Sequence, residues 1–302
     1  MFSYRHAYHA GNHADVLKHT TLLAVLRHMV QKDTAITLLD THAGAGLYRL
    51  DSDYAHASQE AMTGYLRLVD ALATGGRPIP AFTPTPAIQD YLDWVAGLNM
   101  AGSHKVYPGS PFLMHHLLRP RDRLKLFELH PTDVQALSDH VAQLQAGRLV
   151  AVLNEDGFLG IKQFLPPPSA RALVLCDPSY EIKSDYRRVI DTMTDALARF
   201  ATGVYVVWYP IIPRPEAHQL PRKLKTLAAR CGRPWLHATL RVKAGHTSVD
   251  DTGSVTRPGL CASGLFIINP PHTLHAALGD SLRQLALALS QGVKQASTLE
   301  SG

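Results

Sequence analysis

Cysteine is scarce. Cys176, Cys231 and Cys261 are the only three in 302 residues, they lie far apart, and no C-x-x-C occurs. That excludes a disulfide framework and a thiolate zinc site, and it fits a reducing compartment. Long apolar runs are also missing: none reaches the roughly 18 residues of a membrane-spanning helix. The opening string MFSYRHAYHAGNHAD lacks the apolar stretch of a secretory leader, so a cytoplasmic location without membrane contact is the expectation. Charge is sparse at 18%, against 46% hydrophobic residues. Such a chain is not intrinsically disordered. It can bury one sizeable core, or form one large domain carrying an insertion. The formal net charge of +5 is compatible with a polyanionic partner without establishing one.

The distribution of charge says more than its sum. Along 214–243 stand Arg214, Arg222, Lys223, Lys225, Arg230, Arg233, Arg241 and Lys243 against the single acid Glu216, whereas 51–104 is acidic. The basic stretch reads either as a solvated surface or as a phosphate-contacting face. Apolar residues recur at helical spacing over 13–32, and a short strand pattern follows at 35–39. Further strand patterns lie at 124–129, 149–153, 172–176, 204–209, 236–242 and 265–268, with helical stretches at 132–145, 185–200, 216–230 and 272–291. Strands alternating with helices predict an α/β fold with a mostly parallel, seven-stranded sheet covered on both faces. The last two strands are expected to pair as an antiparallel edge hairpin, and the polar tail after Gln291 to fray. In nucleotide-binding α/β folds the second strand ends about 20 residues after the glycine turn. Here it starts only near Leu124, and the surplus over 50–105 carries two helical patterns, 55–73 and 86–98. The expectation is an inserted helical subdomain at 50–105 within a domain made of 1–49 and 106–302.

Four motifs fall at strand ends. LDTHAGAG (39–46) delivers Asp40 to a turn with Gly44 and Gly46; it is an ordinary strand-to-helix turn or one where a ligand approaches the backbone. A dinucleotide fingerprint needs a third glycine where Arg49 stands, which counts against a nicotinamide cofactor. Glu128, in FELH, is either an acceptor for ribose hydroxyls or a helix-capping acid before Pro131. Glu155-Asp156-Gly157 can accept from an adenine amino group or simply cap a turn. The most specific is Asp177-Pro178-Ser179-Tyr180. An amino group on an aromatic ring is a poor nucleophile because its lone pair is delocalised. The Asp177 carboxylate and the Pro178 carbonyl are two acceptors that can localise that pair, and Tyr180 can stack on an extruded base. The competing reading is a plain Asp-Pro turn. Asn269-Pro270-Pro271-His272 resembles the same motif more weakly and reads as a turn before the last helix. Histidines at 9, 13 and 19 suggest a metal, but Arg5 and Lys18 in the same segment favour ligand or nucleic-acid contacts, with no metal.

Together YRHAYHAGNHADVLKH at the N-terminus, LDTHAGAG, YPGSP (107–111), ELHP, EDGF, DPSYE, ATGVYVVWYP (201–210) and ASGLFIINPP (262–271) closely resemble the bacterial ribosomal RNA large-subunit methyltransferase family of the RlmJ type, which methylates N6 of one adenine in 23S rRNA. The resemblance spans nearly the whole chain. It implies a Rossmann-like S-adenosylmethionine-dependent domain with a helical insertion, and 23S rRNA as partner. A monomer is expected, with no obligate protein partner. It also implies roles: His19, His42, Gly44, Ser110, Glu128, Asp156, Gly157 and Asp177 at the cofactor; Asp177, Pro178 and Tyr180 in catalysis; Tyr4, Arg5 and Lys18 at the RNA. Ser179 departs from the usual D-P-P-Y. Rival expectations are a DNA adenine-N6 or cytosine-N4 methyltransferase, or a non-catalytic RNA-binding assembly factor.

Overall fold

The computed structural model describes residues 5–73, 83–100, 102–244, 248–249, 255–256, 259–291 and 296–302. The main sheet contains β1 (Thr37–Asp40), β2 (Arg123–Phe127), β3 (Val150–Leu153), β4 (Ala172–Cys176), β5 (Val204–Pro210), β6 (Trp235–Arg241), β7 (Ala262–Ile268) and β8 (Ala296–Ser301). Their spatial order is β8-β6-β7-β5-β4-β1-β2-β3. β1 to β5 run parallel, and β7 runs against both β5 and β6.

Continuous apolar strands make this a two-faced sheet. In β1, Leu38 packs into one core cluster and Leu39 into the other; in β4, Leu173 and Leu175 go one way, Val174 and Cys176 the other. Side chains alternate across a strand, so a strand apolar at every position needs cover on both sides. Helices His13–Met29 and Leu274–Ala288 cover the first face, Ser184–Arg199 and Pro215–Arg230 the second. The Asn12 side chain caps the first of these by accepting from the Ala14 and Asp15 amides.

Two expectations need correction. The sheet has eight strands, and the polar tail does not fray. Residues 296–301 pair antiparallel with β6, and Thr298 and Thr239 share a hydroxyl bond at 2.6 Å across the strands. β6 would otherwise present an open edge of unpaired backbone groups. The expected hairpin of β6 and β7 forms, but β8 takes the edge.

Between the strands Leu47–Arg49 and Val106–Pro108, which pair as a small antiparallel ribbon, lie helices Asp53–Ser58, Glu60–Thr63, Tyr65–Ala73 and Pro86–Gly97. The expected single helix over 55–73 is broken at Gln59, which takes φ +54°, and at Gly64. A Cβ there would sit 2.1 Å from the Gly11 carbonyl oxygen, and Tyr65 donates its amide to that oxygen at 2.7 Å. Tyr65, Leu68, Ile88, Tyr91 and Val95 are buried in the same cluster as Leu22 and Leu26 of helix His13–Met29. Among the described residues no helix is long and apolar enough to cross a membrane.

Candidate active site

The carboxyl ends of β1 to β4 converge on one cavity of about 710 Å³. Its wall contains nine of the residues to which the resemblance gives site roles: Lys18, His42, Gly44, Ser110, Glu128, Asp156, Gly157, Asp177 and Pro178. This is where ligands sit in open parallel sheets, beyond the strand ends where connections diverge.

After β1 the chain turns through Gly44 (φ +62°) and Gly46 (φ +82°), conformations that favour glycine. Glu128 clamps this turn. Its Oε2 accepts from the Gly44 amide and its Oε1 from the His130 amide, both at 2.7 Å. Burial raises the Glu128 carboxyl, while these backbone bonds pull the other way. The cap of helix Pro131–Gln143 is His130, not Glu128. Each carboxylate oxygen retains a further lone pair for hydroxyl donors.

Ser110 donates its hydroxyl to Asp40 Oδ2 at 2.6 Å. Burial pushes the Asp40 carboxyl up to about 7, against the Ser110 bond and with the help of nearby Asp177. The folded chain therefore holds this proton to higher pH than the unfolded chain, whose Asp titrates near 4. Protons bound by the folded state stabilise it at low pH, so this contribution is lost as pH rises from about 4 through 7. Asp40→Asn, which cannot ionise, is expected to remove that decline, worth up to roughly 4 kcal/mol across the window. Urea melts of both proteins between pH 4.5 and 8 check this; parallel stability profiles would show that Asp40 titrates normally.

A buried charge chain crosses the floor. Lys18 Nζ lies 2.6 Å from Asp177 Oδ2 and 2.8 Å from Asp15 Oδ1. Asp15 also accepts from the Gly11 amide at 3.0 Å, and a His6 ring nitrogen lies 3.0 Å from it. Burial alone would depress the Lys18 ammonium; Asp15 and Asp177 outweigh it and hold the pKa above its ordinary value. Asp177 Oδ1 takes no hydrogen bond from the described residues. Neither Asp15 nor His6 was singled out from the sequence. The three-residue spacing of Asp15 and Lys18, one turn of helix, was the available signal.

On the opposite wall Asp156 caps the short helix Gly157–Gly160 through the Phe158 amide at 3.0 Å. It also pairs with Arg188. The Arg188 guanidinium lies 4.2 Å over the Phe158 ring, and the His42 and Phe158 rings meet edge-on with centroids 4.7 Å apart. Burial pushes His42 down to about 4, so it is a neutral ring at physiological pH. Arg188 was missed because no local motif links a helix residue to a loop acid so far upstream, and Phe158, the last residue of EDGF, was given no role of its own.

Other residues lie elsewhere. Tyr180 is 2% exposed and does not line the cavity. Its hydroxyl donates to the Trp208 carbonyl at 2.6 Å, and its ring packs on Tyr186 at 4.6 Å. The expected stacking on a base is therefore corrected: φ +55° turns this side chain into the core. There it buttresses a backbone conformation that costs a non-glycine residue on the order of 1–3 kcal/mol. His19 is fully buried behind the floor, bonded to the Tyr107 hydroxyl at 2.9 Å, so it makes no direct contact with the cavity. Arg5 precedes the short helix His6–Tyr8 and is outside the cavity wall; Tyr4 lies outside the described residues. His9 pairs with Glu60, and among the described residues no cluster of three or more metal-ligating groups forms. Asn269-Pro270-Pro271-His272 follows β7, which runs opposite to β5 with Ile268 beside Tyr205. It therefore sits at the far end of the sheet, away from the cavity.

A family model for ribosomal RNA large subunit methyltransferase D, RlmJ, matches residues 33–299. The chain is 38% identical over 282 residues to ribosomal RNA large subunit methyltransferase J of Escherichia coli, covering 93% of this chain and 92% of that one. It is 37% identical over 291 residues to the Haemophilus influenzae protein of the same name, covering 96% and 94%. A crystal structure of a Legionella pneumophila protein superposes with a TM-score of 0.80 at 30% identity, covering 97% of this chain and 98% of that one.

Proposed function

This chain belongs to the RlmJ family of ribosomal RNA large subunit methyltransferases, and on that premise we propose that it transfers the methyl group of S-adenosylmethionine to N6 of an adenine in 23S rRNA, acting in the cytoplasm. The observation that carries this reading is the placement of Asp177 and Pro178 at the end of β4, in the same cavity wall as Gly44, Glu128 and Asp156. We also propose that 1–49 and 106–302 form the methyltransferase domain and 50–105 an inserted subdomain.

The cavity suits an adenosyl cofactor. No side chain fits at Gly44, where a Cβ would meet the Tyr48 hydroxyl at 2.2 Å, so the turn presents bare backbone to the cavity. Glu128 offers acceptors to vicinal hydroxyls. Asp156 offers one to an exocyclic amine, beside the Phe158 and His42 rings. When bound, the cofactor supplies an electrophilic methyl carbon. The chain's own part is to orient the target amine. Asp177 Oδ1 and the Pro178 carbonyl accept its two N–H bonds, which frees the nitrogen lone pair and aims it. Lys18 fixes Asp177 through Oδ2, so the carboxylate is held before the base arrives. Ser179 supplies none of these acceptors; among the described residues its hydroxyl accepts from the Glu181 amide at 3.5 Å.

The decisive assay is transfer of labelled methyl to a 23S rRNA fragment, followed by nucleoside mass mapping. N6-methyladenosine is the expected product; label on another atom, or on DNA in preference to RNA, would overturn the reading. Glu128→Ala is expected to weaken cofactor binding by roughly 1–3 kcal/mol, the range for hydrogen bonds to charged groups. Calorimetry measures it, and unchanged affinity in a folded variant would remove Glu128 from the ribose subsite.

A further inference from the structure

The basic stretch 214–243 is only partly used by the site. Arg214 lines the cavity and donates to the Tyr180 carbonyl at 3.0 Å. Lys225 pairs with Glu300 and lies over the Trp235 ring. Arg222, Lys223 and Arg230 do something else. They converge on a groove of about 310 Å³ between helices Ser184–Arg199 and Pro215–Arg230, with Ile190, Thr194 and Thr226. All three cations are exposed, and none has an ion-pair partner among the described residues. Of the acids on the facing helix, Asp191 is paired with Arg187 and Asp195 with Arg199, while Asp185 lines the cavity and not the groove. No carboxylate lines the groove.

Its direction matters. Both helices start at the carboxyl end of a parallel strand, at the cavity: Asp185 and Arg188 on one, Arg214 just before the other. From Pro215 to Arg230 the helix rises about 22 Å, so the three cations mark a track leading away from the cavity mouth. Resting on the function proposed above, we propose that this groove binds the sugar-phosphate backbone of the rRNA strand that flanks the target adenine. Phosphates fit three unpaired cations. Ribose fits the rest. The Thr194 and Thr226 hydroxyls donate to the Ile190 and Arg222 carbonyls of their own helices, at 2.7 and 3.0 Å. Their oxygens are left as acceptors for 2′-hydroxyl donors, the group that distinguishes RNA from DNA.

The test is the full-length triple variant Arg222→Gln, Lys223→Gln, Arg230→Gln. Its control is Arg27→Gln, Arg121→Gln, Arg283→Gln, which removes equal charge at residues already ion-paired elsewhere. Binding of a 23S rRNA fragment is titrated at several salt concentrations, with cofactor affinity and single-turnover methylation at saturating RNA measured alongside. Three lost phosphate contacts lower the slope of log Kd against log salt by about 2 to 3 and weaken RNA binding by about tenfold or more near physiological salt. Cofactor affinity and the saturated rate stay within about twofold of wild type in both variants. A groove variant whose slope and affinity match those of the control overturns the groove while leaving the enzyme intact. Failure of the wild-type protein to methylate rRNA overturns the function itself, and the groove with it. An unfolded groove variant shows as lost cofactor binding, and the single variants Arg222→Gln and Arg230→Gln then decide, each expected to lower the slope by about 0.7 to 0.9.

Discussion

Asp177→Ala is expected to reduce methyl transfer by at least about 10³-fold while cofactor affinity stays within about tenfold, or roughly 1.4 kcal/mol. The two readouts separate because the proposed function puts Asp177 at the target amine, and Glu128, Gly44 and Asp156 at the cofactor from other strand ends. The variant should fold. Lys18 is buried at 5% exposure, and stripping a buried cation of every partner is costly, but Asp15 remains 2.8 Å from its Nζ. Asp177→Asn provides the finer comparison. It keeps one acceptor oxygen and loses the charge, so its rate should fall between the two. Single-turnover methylation and calorimetry measure both variants. Turnover near wild type in Asp177→Ala would remove this residue from the reaction, whatever the cofactor result.

What could be read from the sequence follows from how local each feature is. β4 is apolar throughout, β1 sends Leu38 and Leu39 to opposite faces, and helical spacing fills the gaps between strands, so the layered α/β fold was legible. The acids at 128, 156 and 177 fall at strand ends in the sequence pattern, and because a parallel sheet brings all its carboxyl ends to one side, they line one cavity. Strand direction also explains why Asn269-Pro270-Pro271-His272 lies away from the cavity: the antiparallel hairpin of β6 and β7 was legible in the turn-rich link between them, but the pairing of β7 with β5 is encoded by no local pattern. The same is true of β8, where polar residues form a strand only because β6 lacks a neighbour. The break at Gly64 comes from the passing Gly11 backbone. The bond between Lys18 and Asp177 joins residues 159 apart, and that between Arg188 and Asp156 residues 32 apart. Tyr180 was misread for a different reason: motif position fixed where its Cα lies, while the backbone angle decided where its ring points.

Gly157→Ala is expected to destabilise the fold by roughly 1–3 kcal/mol, as overpacking does, and to weaken cofactor binding by more than about tenfold, or 1.4 kcal/mol. A Cβ at 157 would lie 2.0 Å from the Thr41 carbonyl oxygen and 2.7 Å from the Thr41 carbonyl carbon and Cα. Those are backbone atoms, so no side-chain rotation can relieve the clash. Thr41 cannot retreat easily, because its amide is bonded to the Leu175 carbonyl at 3.0 Å and it continues β1. The loop carrying Asp156 and Phe158 must therefore move outward, which separates the Asp156 wall from the Gly44 turn and breaks the surround of the proposed adenine subsite. Gly97→Ala is the matched control. It lies at the end of helix Pro86–Gly97, a Cβ there meets nothing within 4 Å, and the change should be neutral or stabilising by up to about 1 kcal/mol. Thermal melts and calorimetry on both variants give the comparison. Equal cofactor affinity in the two would mean that the contact between residues 157 and 41 does not shape the cofactor site. A loss of affinity in Gly157→Ala beyond what its lost stability explains would tie that single backbone contact to binding.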